Sequence, residues 1–325
     1  MPDAVLSQPD DPPLITAFAS ALTTRDPATV RAYLTTVRQF VAWLATTPNG
    51  TRFHADLLTE TAITTYLQHL EQAGRAPRTR SRALTALTRL TRWAVAEGHL
   101  RRNPALAIER PTVVALAPTE LSPDQRYVLK SLVERADSLR LAAMFALGYW
   151  AGLRISEVAG LRIDHCVITG RAGVITIVEA KGGKTRTLDL HAAARRALWR
   201  YLTLPAIHTE AREPDSAFVF TSHRAAWLRQ HNQPDHVTTR GLSHQWAALK
   251  QQATHVEWER IHAVTFHDLR HDFAHRARAA GWSLEDLAVY LGHQTKAGTP
   301  AIMTTARYTL PSREQLKQRL RDLRG

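Results

Sequence analysis

The pattern of apolar and polar positions divides the chain into helical and strand-like stretches. From Asp26 to Leu44, the residues Val30, Tyr33, Leu34, Val37, Phe40, Val41 and Leu44 recur at intervals of three and four, the repeat of one helix face. Thr61 to Leu70 is a second helical stretch. Arg78 to Ala96 is a third, with Leu84, Leu87, Leu90 and Ala94 on one side. Ahead of them, residues 1–13 carry four prolines and three aspartates and read as a flexible tail. Behind them, Pro104, Pro111, Pro118 and Pro123 recur at a spacing no helix runs through, which predicts a linker over 105–119. The expected organisation is a helical domain over 14–104 and a larger domain over 120–325.

In the larger domain the pattern predicts helices near 123–136 and 138–151. The β-branched run Gly173 to Val178 then reads as a strand, Lys181-Gly-Gly-Lys184 as a turn, and Thr185 to Leu190 as the returning strand of a hairpin. Helical periodicity resumes at 191–202, 241–254, 265–280 and 283–291. Phe218 to Phe220 is a candidate short strand, and Arg313 to Leu323 a basic amphipathic helix. The fold class is therefore mainly α with a small antiparallel β-sheet, in two domains without internal repeats.

Composition narrows the partners. With 44% apolar residues the chain can build two cores, and wholesale disorder is excluded. A net charge of +13 favours a polyanionic partner, of which nucleic acid is the commonest; a merely solvated basic surface is the alternative. The excess is +4 over residues 1–110 (13 basic, 9 acidic) and +9 over the rest (29 basic, 20 acidic), so both halves are basic, as two bodies gripping one polyanion would be. Arg75, Arg78, Arg80, Arg82, Arg89 and Arg92 come with no acid between Glu71 and Glu97. Solvated faces usually mix signs, so these six are the candidate phosphate contacts. The single cysteine, Cys166, excludes an internal disulfide or thiolate zinc site. His267, His271 and His275 are four apart on one predicted helix, yet no cysteine or carboxylate cluster completes a metal shell. No metal or other cofactor is expected. The chain has no apolar run of membrane-spanning length and no basic-then-apolar leader after Met1, so the expected setting is cytoplasmic.

Exchange of a phosphodiester needs a nucleophile, positive charge on the non-bridging oxygens and a proton donor for the leaving oxygen. Without metal-binding carboxylates, arginine and lysine must supply the charge. Arg154 follows a glycine break, with Ser156 placed to cap the next helix. Thr265 and Asp268 form a capping-box pattern, and His267 and Arg270, three apart, share a helix face. Leu291-Gly-His293 ends and turns a helix, and Tyr308 precedes the proline stop at Pro311. Singly these residues identify no chemistry, and a lone tyrosine is far more often a packing residue than a nucleophile.

Their order is what carries meaning. Ala151-Gly-Leu-Arg-Ile-Ser-Glu-Val-Ala-Gly-Leu161, Lys181-Gly-Gly-Lys184, His267-Asp-Leu-Arg270-His-Asp-Phe, Leu291-Gly-His293 and Thr305-Ala-Arg-Tyr308-Thr resemble, in sequence and order, the tyrosine recombinases, the phage-integrase-like family, in its Xer-like form. The resemblance spans nearly the whole chain and implies an N-terminal helical, SAM-like core-binding domain before a catalytic domain. It implies that Tyr308 attacks the scissile phosphate to give a 3′-phosphotyrosyl link, that Arg154 and Arg270 neutralise the pentacoordinate phosphate, and that Lys181 protonates the leaving oxygen. Lys184, across the same turn, stays open as an alternative. His267 and His293 match positions that assist proton transfer or bind phosphate, and Glu157 an acidic position that steadies Arg154 or its neighbours. The implied activity is site-specific recombination of double-stranded DNA (integration, excision, transposition or dimer resolution) by a homotetramer on paired sites. The helix at 313–323 would dock on a neighbouring subunit or close its own domain. A catalytically inactive DNA-binding regulator and a type IB topoisomerase-like nicking-closing enzyme are the alternatives on the same fold. Fifteen positions separate His293 from Tyr308, more than the family's pattern has, which predicts a longer loop at Lys296–Ala301.

Overall fold

The computed structural model describes residues 8, 10–22, 27–47, 53–112, 120–178, 185–203, 215–295 and 298–306. The chain forms two compact units, Met1–Ala115 and Leu116–Gly325.

Among the described residues the first unit has four α-helices, α1 (Pro13–Ala21), α2 (Pro27–Ala45), α3 (Glu60–Gln72) and α4 (Pro77–Ala96). Periodicity predicted the last three. Helix α1 lies in the expected helical domain, in a stretch for which no helix was predicted, and starts at Pro13, the last residue of the expected tail: proline suits the first helical position, whose N–H has no partner to lose. The approach to α1 is also tied down, since Arg38 donates from Nε and Nη2 to the two carboxylate oxygens of Asp11 at 2.8 and 2.7 Å. The four helices bury Ile15, Phe18, Val30, Leu34, Val37, Phe40, Ile63, Leu84, Leu87 and Leu90 in one core. Full burial of each large apolar side chain is worth about 1.5–3 kcal/mol. The core continues past residue 104: Ala105 is buried in it, Ile108 packs on it, and Arg110 donates to the Thr85 hydroxyl at 3.1 Å.

Helix α4 sorts its arginines by face. Arg78, Arg82, Arg89 and Arg92 follow the i, i+4, i+7 repeat opposite the buried Leu87 and Ala94, and all but the half-buried Arg89 are exposed. Arg80 lies on another face and pairs with Glu71 at 2.5 Å. The expectation of six uncompensated arginines is corrected there: Glu71 sits at the end of α3, within reach of the first turns of α4.

The second unit runs α5 (Pro123–Arg135), α6 (Leu139–Ala151), α7 (Ile155–Ala159), β1 (Cys166–Ile168), β2 (Gly173–Val178), β3 (Thr185–Asp189), α8 (Ala192–Thr203), α9 (Ala225–Gln230), α10 (Thr239–Lys250), α11 (His255–Ile261), α12 (Phe266–Ala279), α13 (Leu284–Leu291) and α14 (Ile302–Ala306). Helix α6 is its centre, buried from Ala143 to Tyr149 and packed on α8 and α12. A helix apolar on every side has no solvent face.

The strands form one antiparallel sheet in the order β1-β2-β3. The register opposes Ile175 to Leu188 and Ile177 to Arg186, so these four share a face. Ile175, Ile177 and Leu188 are buried, which places Arg186 on the core side of β3. Phe218 to Phe220 makes no ladder among the described residues; Phe218 forms a single bridge with Arg162, and Thr221, just after the segment, one with His236. The hairpin tip with Lys181 and Lys184, the tyrosine Tyr308 and the predicted helix at 313–323 lie outside the described residues.

Candidate active site

The helix ends of the second unit meet around one buried guanidinium. Helix α12 starts after Thr265, whose backbone N–H donates to the Asp268 carboxylate at 2.7 Å as the capping pattern predicts. The next turn carries Arg270 inward. Its side chain is 0% exposed, a costly place for a cation unless every face finds an acceptor. Nη1 donates to the Gly152 carbonyl at 2.7 Å, and Nη2 to the Leu291 carbonyl at 2.7 Å. Both oxygens belong to the C-terminal ends of helices, α6 and α13, where carbonyls lack helical partners and the dipole is negative.

Two glycines make this approach possible. Gly152 and Gly292 close their helices in the left-handed region, at φ 63° and 69°. A Cβ on Gly152 would lie 2.6 Å from the Phe273 ring, and one on Gly292 would lie 2.7 Å from the Arg186 guanidinium.

Arg154 stands at the start of α7. Ser156 does not cap that helix; Glu157 does, accepting the Arg154 backbone N–H at 2.9 Å. The same carboxylate gathers the arginines. Its Oε1 accepts from Arg154 Nη1 at 2.7 Å, and its Oε2 accepts from Arg186 Nη2 at 2.9 Å and lies 3.7 Å from Arg270 Nη1. Arg154 also reaches the Leu291 carbonyl, at 3.4 Å. Burial alone would raise the Glu157 pKa; the Arg186 hydrogen bond and the charges of Arg186, Arg270 and Arg154 outweigh it and hold the group ionised below the usual range. One carboxylate thus neutralises one of three cations. Among the three, the Arg154 side chain is the open one at 31% exposure, against 9% for Arg186. The arrangement is a fixed, net positive cluster with one face accessible.

His293 closes the cluster from below. Its Nε2 lies 2.9 Å from Arg270 Nη2, and its Nδ1 lies 3.0 Å from the Thr305 hydroxyl. Arginine can only donate, so Nε2 holds the lone pair and Nδ1 carries the proton toward Thr305, which donates in turn to the Ala301 carbonyl. Burial, then the Arg270, Arg154 and Arg186 charges, push the His293 pKa down to about 3, with Glu157 opposing. The ring is neutral at pH 7. His267, a turn before Arg270, is exposed at one edge. Partial desolvation, then the Arg270 charge, lower its pKa, with Asp268 opposing. His271 packs edge-on against His267 with ring centroids 4.4 Å apart, and burial drives its pKa to about 4.

Of the longer span after His293, residues 296 and 297 lie outside the described residues, and the residues on either side of them pair. Gln294 bridges Pro300, Thr295 N–H donates to the Thr299 carbonyl at 2.8 Å, and Ala301 N–H returns to the His293 carbonyl at 2.6 Å. Helix α14 follows and brings Thr305 under His293.

Of the residues expected from sequence, Arg154, Glu157, Arg270 and His293 meet directly, and His267 lies within the range of their charges. Arg75, Arg78, Arg82, Arg89 and Arg92 belong to the other unit, on α4 or just before it. Sequence reasoning missed Arg186 and Thr305. Arg186 had a readable signal, since the alternation of β3 puts it on the same face as Leu188, a charged residue where a core residue is due. Thr305 had none. No three His, Cys, Asp or Glu side chains among the described residues are grouped to hold a metal.

A mainly helical catalytic unit with a three-stranded sheet and two arginines at helix ends defines a class that comparison with known proteins identifies. Residues 121–312 match the phage integrase family, and residues 14–98 match the phage integrase N-terminal SAM-like domain. The chain belongs to the phage integrase family. It is 30% identical over 292 residues to tyrosine recombinase XerD of Lacticaseibacillus casei, covering 88% of each chain. In fold it resembles the Tn1549 transposon integrase in complex with transposon right end DNA (TM-score 0.66, 15% identity, 95% of this chain and 98% of that one). It also resembles lambda integrase, solved as a tetramer bound to a Holliday junction (TM-score 0.65, 15% identity, 91% and 76%). Within the family it is an Xer-like tyrosine recombinase, an enzyme of site-specific recombination.

Proposed function

We propose that this chain cuts and rejoins double-stranded DNA through Tyr308, on the anion site built from Arg154, Arg270, Glu157 and His293. The observation that carries the reading is the convergence of Arg154 and Arg270 on shared acceptors, the Leu291 carbonyl and Glu157, with an open face at Arg154. A scissile phosphate docks from that face. Arg270 grips it by exchanging one protein acceptor for a phosphoryl oxygen; because Leu291 receives both arginines, its carbonyl keeps a donor through the exchange.

The Tyr308 oxygen then attacks phosphorus. A bond from that oxygen to phosphorus forms, the bond to the 5′ oxygen breaks, and a 3′-phosphotyrosyl link remains. His267, neutral at pH 7, takes the phenol proton. Lys181 gives its proton to the leaving 5′ oxygen, with Lys184 the alternative donor across the turn. The link conserves the phosphodiester, so attack by a second strand's 5′ hydroxyl reverses the step without nucleotide or metal. The packed helices over 14–104, with the segment to Arg110 that packs on them, serve as the core-binding domain, and 120–325 as the catalytic domain. The exposed arginines of α4 follow the DNA backbone. The working assembly is a homotetramer on paired sites, the likeness to a lambda integrase tetramer on a Holliday junction supporting it. Its C-terminal helix at 313–323 docks on a neighbour, and it acts in the cytoplasm.

The test begins with a duplex that the full chain selects from a randomised pool, rebuilt with a nick beside the cleaved bond so that the covalent adduct is trapped. Wild-type protein accumulates adduct, in EDTA as in its absence, and Tyr308→Phe accumulates none. Adduct from the phenylalanine variant would remove Tyr308 from the mechanism.

A further inference from the structure

The sheet and the helix ending at His293 hold each other by a reciprocal pair of bonds. Arg186, on the core face of β3, sends its Nε to the backbone carbonyl of Tyr290 at 3.0 Å. Tyr290, on α13, sends its hydroxyl to the backbone carbonyl of Asp189, at the far end of β3, at 3.1 Å. Each residue thus uses its side chain on the other's strand or helix. The Arg186 guanidinium also lies against Gly292, where any Cβ would collide with it, and donates Nη2 to Glu157. One side chain therefore touches three elements: the strand, the carboxylate shared with Arg154 and Arg270, and the turn that presents His293.

Position along the chain makes this consequential. Val178 pairs with Thr185, so Lys181 falls in the six residues that join β2 to β3, and Arg186 is the second residue after that loop. The chain leaves β2 at Val178 and re-enters β3 at Thr185, and β3 is the strand clasped to the Glu157 cluster. The Arg186 and Tyr290 side chains tie β3 to α13 by hydrogen bonds, on top of the apolar packing between them.

We propose that Arg186, with Tyr290, is a positioning residue that holds the Lys181 hairpin in register with the Arg154, Arg270 and His293 site, and so governs protonation of the leaving oxygen. This rests on the reading of Lys181 as the proton donor. Arg186 itself touches no reacting atom. Its loss leaves the phosphate-binding arginines charged and shifts the hairpin that bears the donor. Positions that hold a reacting group through one intermediate contact cost about 10- to 100-fold when removed.

The leaving group separates this role from a structural one. A scissile phosphate with sulfur in place of the bridging 5′ oxygen expels a thiolate, which needs no proton, while the demand on Arg154 and Arg270 is unchanged. Adduct formation at saturating protein is compared on oxygen and sulfur versions of the selected nicked duplex for wild type, Lys181→Ala, Arg154→Ala, Arg186→Gln and Tyr290→Phe. The expected result is that R186Q loses about 10-fold or more on oxygen and recovers to near wild type on sulfur, as K181A does. Y290F, which deletes one hydroxyl and keeps the ring, shows a smaller loss with the same recovery, and R154A stays slow on both. Should R186Q unfold, Y290F carries the test by the same two rates. Equal loss on oxygen and sulfur in both clasp variants, or no loss in either, overturns the clasp. Failure of sulfur to rescue K181A instead overturns Lys181 as donor, a different result from rescue of K181A without rescue of the clasp variants.

Discussion

The arginines of α4 and the arginines around Glu157 are the same side chain in two unlike environments. On α4, Arg78, Arg82 and Arg92 project from the face opposite the core and are exposed. In water an exposed charge acts at long range, is screened by salt and adds nearly independently to its neighbours. Around Glu157, Arg270 is buried on two helix-end carbonyls and a histidine, and it shares Leu291 with Arg154 and His293 with Thr305. There the low dielectric makes each contact strong and none separable. The exposed set suits a partner whose backbone is everywhere alike. The buried set suits one phosphate held in one geometry.

That contrast is sharpest at Arg270. Arg270→Ala strands the Gly152 carbonyl and His293 Nε2 without their donor, leaves the Leu291 carbonyl only the 3.4 Å bond from Arg154, and should lose roughly 3–5 kcal/mol of stability along with all adduct formation. Denaturation midpoints and the trapped-adduct assay read the two losses together. A stable, active R270A would mean that the buried guanidinium holds neither fold nor phosphate.

Arg154→Ala leaves the buried acceptors served by Arg270. It should keep its fold and its DNA affinity while adduct formation at saturation falls about 10²- to 10³-fold, the cost of one preorganised donor. If affinity fell in proportion, Arg154 would belong with the α4 set.

Acid should separate the two environments next. His293 and His271 are held near pKa 3 and 4, against 6.5 in an unfolded chain. Between those limits the unfolded chain binds protons that the folded one refuses, so stability is complete above about pH 6.5 and declines as pH falls toward 4 and 3. The Glu157 pKa, also lowered, adds to the loss at the acid end. One such proton is worth about 1.4 kcal/mol per pH unit. His293→Gln, whose side-chain oxygen can still accept from Arg270, should flatten the slope by up to that amount. An unchanged slope from denaturation at pH 7 to 4 would take His293 out of the account.

The smallest expected effects lie on α4. Arg82→Ala should weaken binding and lower the salt slope by about one unit, as loss of one phosphate contact does. Arg80→Ala should barely change the slope, because Glu71 already holds that charge. Equal slopes for R80A and R82A would erase the distinction between the two faces.

Much of the fold was legible where elements were long. Helices α2 and α4 repeat their apolar face over five turns or so, β2 is a β-branched run, and β3 alternates polar with apolar residues. Short elements left no such trace. Helices α9, α11 and α14 have six, seven and five residues, too few turns for a repeat to stand out, and β1 has three. Helix α1 was hidden by the prolines that start it. In the site, Arg154, Arg270 and His293 were recognisable through the order of their motifs, while their shared acceptors were not. Those acceptors are backbone carbonyls of Gly152 and Leu291, and no side-chain pattern encodes a carbonyl. Glu71 concealed its pairing with Arg80 in the same way, because the two meet only when α3 turns back on α4.

The most direct measurement is the identity of the residue bonded to DNA. The trapped adduct formed on the selected nicked duplex is digested with protease and nuclease, and the peptide that retains nucleotide is sequenced by mass spectrometry. The expected product is a peptide containing Tyr308 with a nucleotide joined through its 3′ phosphate to the phenol oxygen. A nucleotide on any other residue, or one joined through its 5′ phosphate, would contradict it.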